Sequence, residues 1–347
     1  MAFDPTYNQT EARVCATHCS FAYLQENTKD RNKISAAIAA ALADGSKNYA
    51  TGTNWELVWL GLSAIGKGNL MYMAANKNVP GQYVIAHRGT NWSFISDIAE
   101  DLFVFTEEIY PYSATHNNAI KVSRGSLIGL EVLKAMHSPV TGISTPPDIS
   151  SDVSLINLIK SLVLTGDPGQ SLEFFVTGHS LGGALATIYT SWLIDTCAQW
   201  RLSPGRLNFK TYTVASPTVG NDKYAAYYNA GANQNGIGFA GYRIHNLQDL
   251  VPHAFDNLNG LMNCGVPLGP KLKLDLKVAV DSMNALMKLR GVSYAPAGTD
   301  KPLDNGGNSN PACPNPPNSI KDYGCWVVYE HDMNTYLKLL GATPVTV

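Results

Sequence analysis

Phe174-Phe175-Val176-Thr177-Gly178-His179-Ser180-Leu181-Gly182-Gly183-Ala184 is the stretch that decides the fold. The apolar run bounded by Gly178 reads as a buried strand and Ala184 to Ile194 as a helix, so Ser180 falls on the turn between them. A nucleophile needs that placement. In a G-x-S-x-G turn, Gly178 and Gly182 remove side chains that would collide where strand passes into helix, leaving the serine hydroxyl exposed above the sheet.

On the N-terminal side, Leu155 to Leu164 reads as a helix feeding the strand through Asp167-Pro168-Gly169. Leu70-Met71-Tyr72-Met73 and Tyr83-Val84-Ile85-Ala86 read as a hairpin across Asn76 to Gly81, its second strand ending at His87-Arg88-Gly89-Thr90. Thr10 to Leu42 reads as two helices broken near Thr28-Lys29-Asp30 and covering one sheet face, and Ala119 to Met136 reads as a helix. On the C-terminal side come a strand at Leu207 to Val214, a helix ending near Tyr228, and a strand at Gly241 to Asn246. Lys271 to Arg290 fits both periods, with helix favoured for its second half; Ser293 to Ile320 reads as a long loop without structure of its own. Cys325 to Tyr329 reads as a short strand before a helix from Asp332 to Leu340. Such alternation implies an α/β fold, a mostly parallel sheet with helices on both faces. Function gathers at the carboxyl ends of such strands, where Ser180, Thr90 and Asp249 all fall.

With 347 residues, 45% of them hydrophobic, the chain can bury a large core. Its formal charge of -2 and lack of a long Lys/Arg run argue against a nucleic-acid partner. No stretch has the length of a membrane-spanning helix, and Met1-Ala2-Phe3-Asp4-Pro5 lacks the basic start and apolar core of a signal peptide, which leaves the compartment open, secretion included. Cys15 and Cys19 flank His18 but lack a fourth ligand nearby, so they read as core, as does Cys197. Cys264, Cys313 and Cys325 share a loop-rich stretch where one disulfide is expected. No metal and no cofactor is expected.

A serine hydroxyl is a poor nucleophile at neutral pH and requires a general base oriented by a carboxylate. With this turn the chain order is nucleophile, acid, base. His331 is therefore assigned as base, with His253 as fallback; His179 points away from Ser180 and supports the turn. Asp195 falls in or at the end of the following helix and Asp222 reads as a helix cap, whereas Asp249 follows a strand and is assigned as the acid. The oxyanion donors are the N-H of Leu181 and, from the loop after an earlier strand, Thr90. In Asn91 to Leu102, Trp92, Phe94, Ile95, Ile98, Ala99 and Leu102 make one apolar stripe if the segment is a short helix, which reads either as an ordinary packed helix or as a lid whose apolar face covers the site when closed and meets substrate when open.

Taken together, Thr177 to Ala184, Arg88-Gly89-Thr90, Ser216-Pro217-Thr218-Val219-Gly220-Asn221, Arg243-Ile244-His245-Asn246 and Asp249-Leu250-Val251-Pro252 resemble, in order, the class 3 lipase family of filamentous fungal type. The resemblance runs from about Val79 to Leu340. It implies a single α/β-hydrolase domain over residues 1–347, a lid at about 91–104, no metal, and cleavage of carboxylic esters of acylglycerols; an apolar lid exposed on opening could either adsorb to an oil-water interface or dimerise. It assigns Ser180, Asp249 and His331 as the triad and Thr90 and Leu181 as oxyanion donors. Two departures stand out. Ser123-Arg124-Gly125-Ser126 replaces a His-x-Gly-Phe turn common in the family, and residues 256–324 look like an extended insertion covering the site. Feruloyl esterases and phospholipases share this core, and a non-catalytic lipid-binding module is a further reading; Trp92 and Phe94 favour long acyl chains, and the retained triad argues for catalysis.

Overall fold

The computed structural model describes residues 3–63, 69–89, 106–113, 117–141, 152–200, 205–231, 236–257, 259, 268–304 and 313–346. The strand before Ser180 is β8 (Leu172–His179), numbering elements in chain order, and it lies at the centre of a seven-stranded sheet. To one side run β3 (Gln82–His87), β2 (Leu70–Asn76) and β1 (Trp55–Leu62); to the other, β9 (Leu207–Val214), β10 (Gly238–Asn246) and β11 (Thr299–Leu303). From β3 to β11 every pairing is parallel, while β1 and β2 continue the sheet antiparallel.

Strand side chains alternate between two apolar layers, as a pleated ribbon covered on both faces requires. Phe174 and Val176 face a layer formed with α3 (Arg124–Lys134), α4 (Leu155–Thr165), α5 (Leu181–Ala198) and α6 (Asp222–Asn229). Phe175 faces the opposite layer, with α1 (Gln9–Phe21), α2 (Arg31–Ala43) and α9 (Met333–Leu340). Lys210 of β9 is buried and donates to Glu11 at 2.9 Å, tying α1 to the sheet at a polar point. Among the described residues no helix is long and apolar enough to cross a membrane.

The hairpin, the β9 and α4 readings and the two N-terminal helices are reproduced. Four expectations are corrected. Residues 119–136 are not one helix: Lys121–Ser123 forms β5, paired with β4 (Glu107–Ile109), and Ser123 then caps α3 by accepting from the Ser126 N-H. Residues 293–320 are not without structure, because Thr299–Leu303 adds parallel to β10 as the sheet edge. Its polar TDKPL sequence hides it, and Pro302 is tolerated because an edge strand leaves one side unpaired. Cys325–Tyr329 is helical, part of α8 (Ile320–His331), whose start is fixed by a capping box between Ser319 and Asp322. Its buried Tyr323, Trp326 and Glu330 recur at helical spacing, a period that a five-residue window conceals. Finally, α6 is capped by Asn221, whose side chain accepts from the Tyr224 N-H, and Asp222 is only its first residue. The ambiguous stretch is helical throughout as α7 (Pro270–Arg290).

Candidate active site

The turn after β8 is built by exclusion of side chains. A Cβ on Gly178 would lie 2.1 Å from the Gly182 carbonyl oxygen, and one on Gly182 would lie 2.4 Å from that of His87. No side chain fits at either contact, so the carboxyl ends of β3 and β8 and the start of α5 are drawn together. Ser180 takes up the strain, at φ 59° and ψ -133°, outside the regions a non-glycine residue favours.

This geometry delivers Ser180 to His331. His331 ends α8, and its Nδ1-H donates to Asp249 Oδ2 at 2.7 Å, which leaves Nε2 to accept from the Ser180 hydroxyl at 2.8 Å. The three side chains are almost fully buried, at 4% exposure for Ser180, 1% for His331 and 0% for Asp249. Asp249 lies in the turn beyond β10, its Oδ1 accepting the Val251 N-H at 3.0 Å. Leu181, the first residue of α5, has an N-H in the helix's first turn, where no intrahelical acceptor exists. Thr90 and the expected lid residues Trp92, Phe94, Ile95 and Ile98 lie outside the described residues, as does Cys264.

Several supports carry little signal in the sequence. Tyr336 of α9 donates its hydroxyl to Asp249 Oδ2 at 2.7 Å and accepts the Asn246 N-H at 2.9 Å. Burial, and then the neighbouring Asp249 carboxylate, raise the Tyr336 phenol well above its ordinary range, so it remains a donor. The buried Arg243 guanidinium reaches Asp300 of β11 at 2.8 Å and the Pro252 carbonyl, clamping the turn that carries Asp249. Asn246 holds the end of α8 through the Glu330 carboxylate at 2.7 Å and the Glu330 carbonyl at 3.1 Å.

His179 supports the turn rather than competing for the proton. Its Nε2-H donates to the His331 carbonyl at 2.8 Å, so Nδ1 accepts from the Tyr23 hydroxyl at 2.9 Å. Burial, reinforced by His331, drives its pKa well below that of a free imidazole and keeps it neutral. The fallback His253 packs edge-on against His245 at 5.6 Å, and it is His331 that makes the hydrogen bonds to Ser180 and Asp249. Asp195, near the end of α5, accepts from the hydroxyls of Tyr110 and Tyr227. Among the described residues no cluster of three or more His, Cys, Asp or Glu could hold a metal ion. The disulfide joins Cys313 and Cys325, and Cys15, Cys19 and Cys197 are free and buried.

Residues 84–258, half of the chain, match the family described as Lipase (class 3). The chain belongs to the class 3 lipase family. Over 97 residues this class 3 lipase is 38% identical to secreted mono- and diacylglycerol lipase 1 of Fusarium solani, covering 28% of this chain and 24% of that protein. Over 103 residues it is 37% identical to a lipase of Rhizopus oryzae, covering 30% and 23%. The matched segments thus span about a quarter of these relatives' length. Its fold is similar to the crystal structure of M37 lipase, with 25% identity and a TM-score of 0.70 over 96% of this chain and 93% of that one. The architecture is an α/β-hydrolase fold.

Proposed function

We propose that this class 3 lipase hydrolyses carboxylic esters of acylglycerols through an acyl-serine intermediate. The observation that carries the reading is the buried relay from Ser180 Oγ through His331 to Asp249, mounted on a strained turn. Ser180 attacks the ester carbonyl carbon as its proton passes to His331 Nε2, and Asp249 stabilises the imidazolium. The tetrahedral oxyanion is held by the Leu181 N-H and by Thr90. His331 returns the proton to the departing alcohol, and water, deprotonated by the same imidazole, releases the fatty acid. Residues 91–104 act as a lid, with Trp92, Phe94, Ile95 and Ile98 towards the acyl chain, within a single-domain chain.

The test is hydrolysis of an ester series of increasing acyl length, measured below and above substrate solubility, with Ser180→Ala as control. A rise in rate when the substrate forms an emulsion, lost in Ser180→Ala, is expected. Activity confined to soluble short esters, or full activity in Ser180→Ala, would contradict the reading.

A further inference from the structure

α7 is apolar on two opposite sides, and among the described residues only one of them is covered. On the inner side Leu272, Val280 and Met287 are buried, and the last two join Phe255 and Tyr294 in a cluster against which Met283 and Leu181 pack. The helix is thereby anchored beside the residue that follows Ser180. On the outer side Leu274, Val278 and Leu289 are 62%, 59% and 82% exposed. At about 100° per residue these three fall within roughly 60° of one another, opposite Val280. Scattered exposed leucines are ordinary, but an in-line apolar stripe on a surface helix marks a binding face.

Charge identifies the occupant. α7 carries Lys271, Lys273, Lys277, Lys288 and Arg290 against only Asp275 and Asp281, in a chain whose formal charge is -2. Lys277 is engaged by Asp281 at 2.7 Å, and the other four basic residues are exposed along the helix. A second copy would bring the same excess of basic side chains, whereas an anionic lipid surface complements both the charge and the apolar stripe.

We propose that the outer face of α7 docks this protein on an anionic lipid-water surface, with Leu274, Val278 and Leu289 entering the headgroup boundary and the lysines meeting the anions. An emulsion under hydrolysis accumulates fatty-acid carboxylates, and in that respect the proposal rests on the ester-hydrolase reading. Docking itself needs no turnover, so the two can fail separately.

The experiment is co-sedimentation of the full chain carrying Ser180→Ala with vesicles of phosphatidylcholine alone or with one-third phosphatidylglycerol. Binding to the mixed vesicles is expected, weaker by about tenfold or more on phosphatidylcholine alone and in high salt. Adding Leu274→Ser, Val278→Ser and Leu289→Ser should weaken mixed-vesicle binding by about tenfold or more. In the active chain the same three changes leave turnover of a soluble short ester unaltered. A charge variant, Lys271→Glu with Lys288→Glu, keeps the test independent of the leucine changes and should lose the preference for mixed vesicles. Absent vesicle binding by the parent chain, parent-like binding by either variant, or a concentration-dependent dimer that the leucine variant abolishes would overturn the proposal, the last by assigning the face to a second copy.

Discussion

The Tyr23 hydroxyl lies 2.9 Å from Nδ1 of His179, which itself holds the His331 carbonyl. The same hydroxyl accepts the Gly89 N-H at 3.2 Å, so a side chain from the segment after α1 touches the end of β3, the turn and, through His179, the end of α8. Tyr23→Phe retains the ring but leaves His179 Nδ1 buried without its donor, a cost of about 1–3 kcal/mol. Because the change loosens the placement of base and nucleophile rather than a substrate contact, kcat should fall about tenfold with KM nearly unchanged. Steady-state kinetics alongside urea unfolding separate the effects. Lost stability with unaltered kcat would reduce Tyr23 to a packing role.

Asp249 Oδ2 receives two donors, His331 Nδ1 and the Tyr336 hydroxyl, and their removal should differ in severity. Asp249→Asn removes the charge that stabilises the imidazolium and permits the wrong tautomer, which predicts a loss of about 10³–10⁴ in kcat. Tyr336→Phe leaves the carboxylate with His331 and the Val251 N-H, so a loss of about tenfold or less is expected. Equal losses in the two variants would mean that Asp249 acts mainly as a scaffold for Tyr336.

That Ser180, Asp249 and His331 meet in space was legible because each obeys a local rule: glycines flanking Ser180, Asp249 just past a strand, and His331 late in the chain. The class of fold was legible from alternation of period-2 and helical stretches. Tyr23 and Tyr336 were not, since each is an aromatic residue on a largely apolar helix or its end, and only the packing of α1 and α9 on the sheet aims its hydroxyl at the site. Arg243 belonged to a recognised motif, yet its contact with Asp300 needs β11, a polar edge strand with no apolar pattern. The strand expected just before His331 is a helix, because α8 owes its form to a capping box and to burial of every third or fourth residue, yet His331 still lies within hydrogen-bond reach of Ser180 and Asp249.

Acid should destabilise the fold through buried neutral histidines. Burial lowers His18 to about 3 and His87 to about 4, against an ordinary 6.5. Below 6.5 the unfolded chain therefore takes up protons that the folded chain refuses, and stability present at neutral pH is lost as pH falls towards 4. Between pH 7.5 and 5 each histidine accounts for about 2 kcal/mol. Asp195 acts in the opposite sense: burial raises it from 3.8 to about 6, so its contribution is present at low pH and lost as pH rises through 6. It offsets about 1 kcal/mol of the histidine loss over that range. Urea unfolding at the two pH values should give a steeper acid loss for Asp195→Asn than for the parent. An unchanged difference would remove Asp195 from the pH response.

The Cys313–Cys325 disulfide closes a short loop onto α8, with a sequence separation of 12, while Trp326, just past the bridge, donates its Nε1-H to the carbonyl of Pro314 inside the loop at 2.8 Å. Closing a loop of this size stabilises by about 3 kcal/mol in the chain-entropy account. His331 is nevertheless held from the sheet side as well, by Asp249 and by the Asn246 contacts to Glu330. Cys313→Ser with Cys325→Ser should therefore lower unfolding stability by about 2–3 kcal/mol while kcat at 25 °C stays within about twofold, since the relay does not depend on the loop for its geometry. Thermal inactivation should shift to lower temperature by the same change, read as residual ester hydrolysis after heating. A collapse of kcat at 25 °C with an intact circular dichroism spectrum would show instead that the loop, and not the sheet, sets the position of the base.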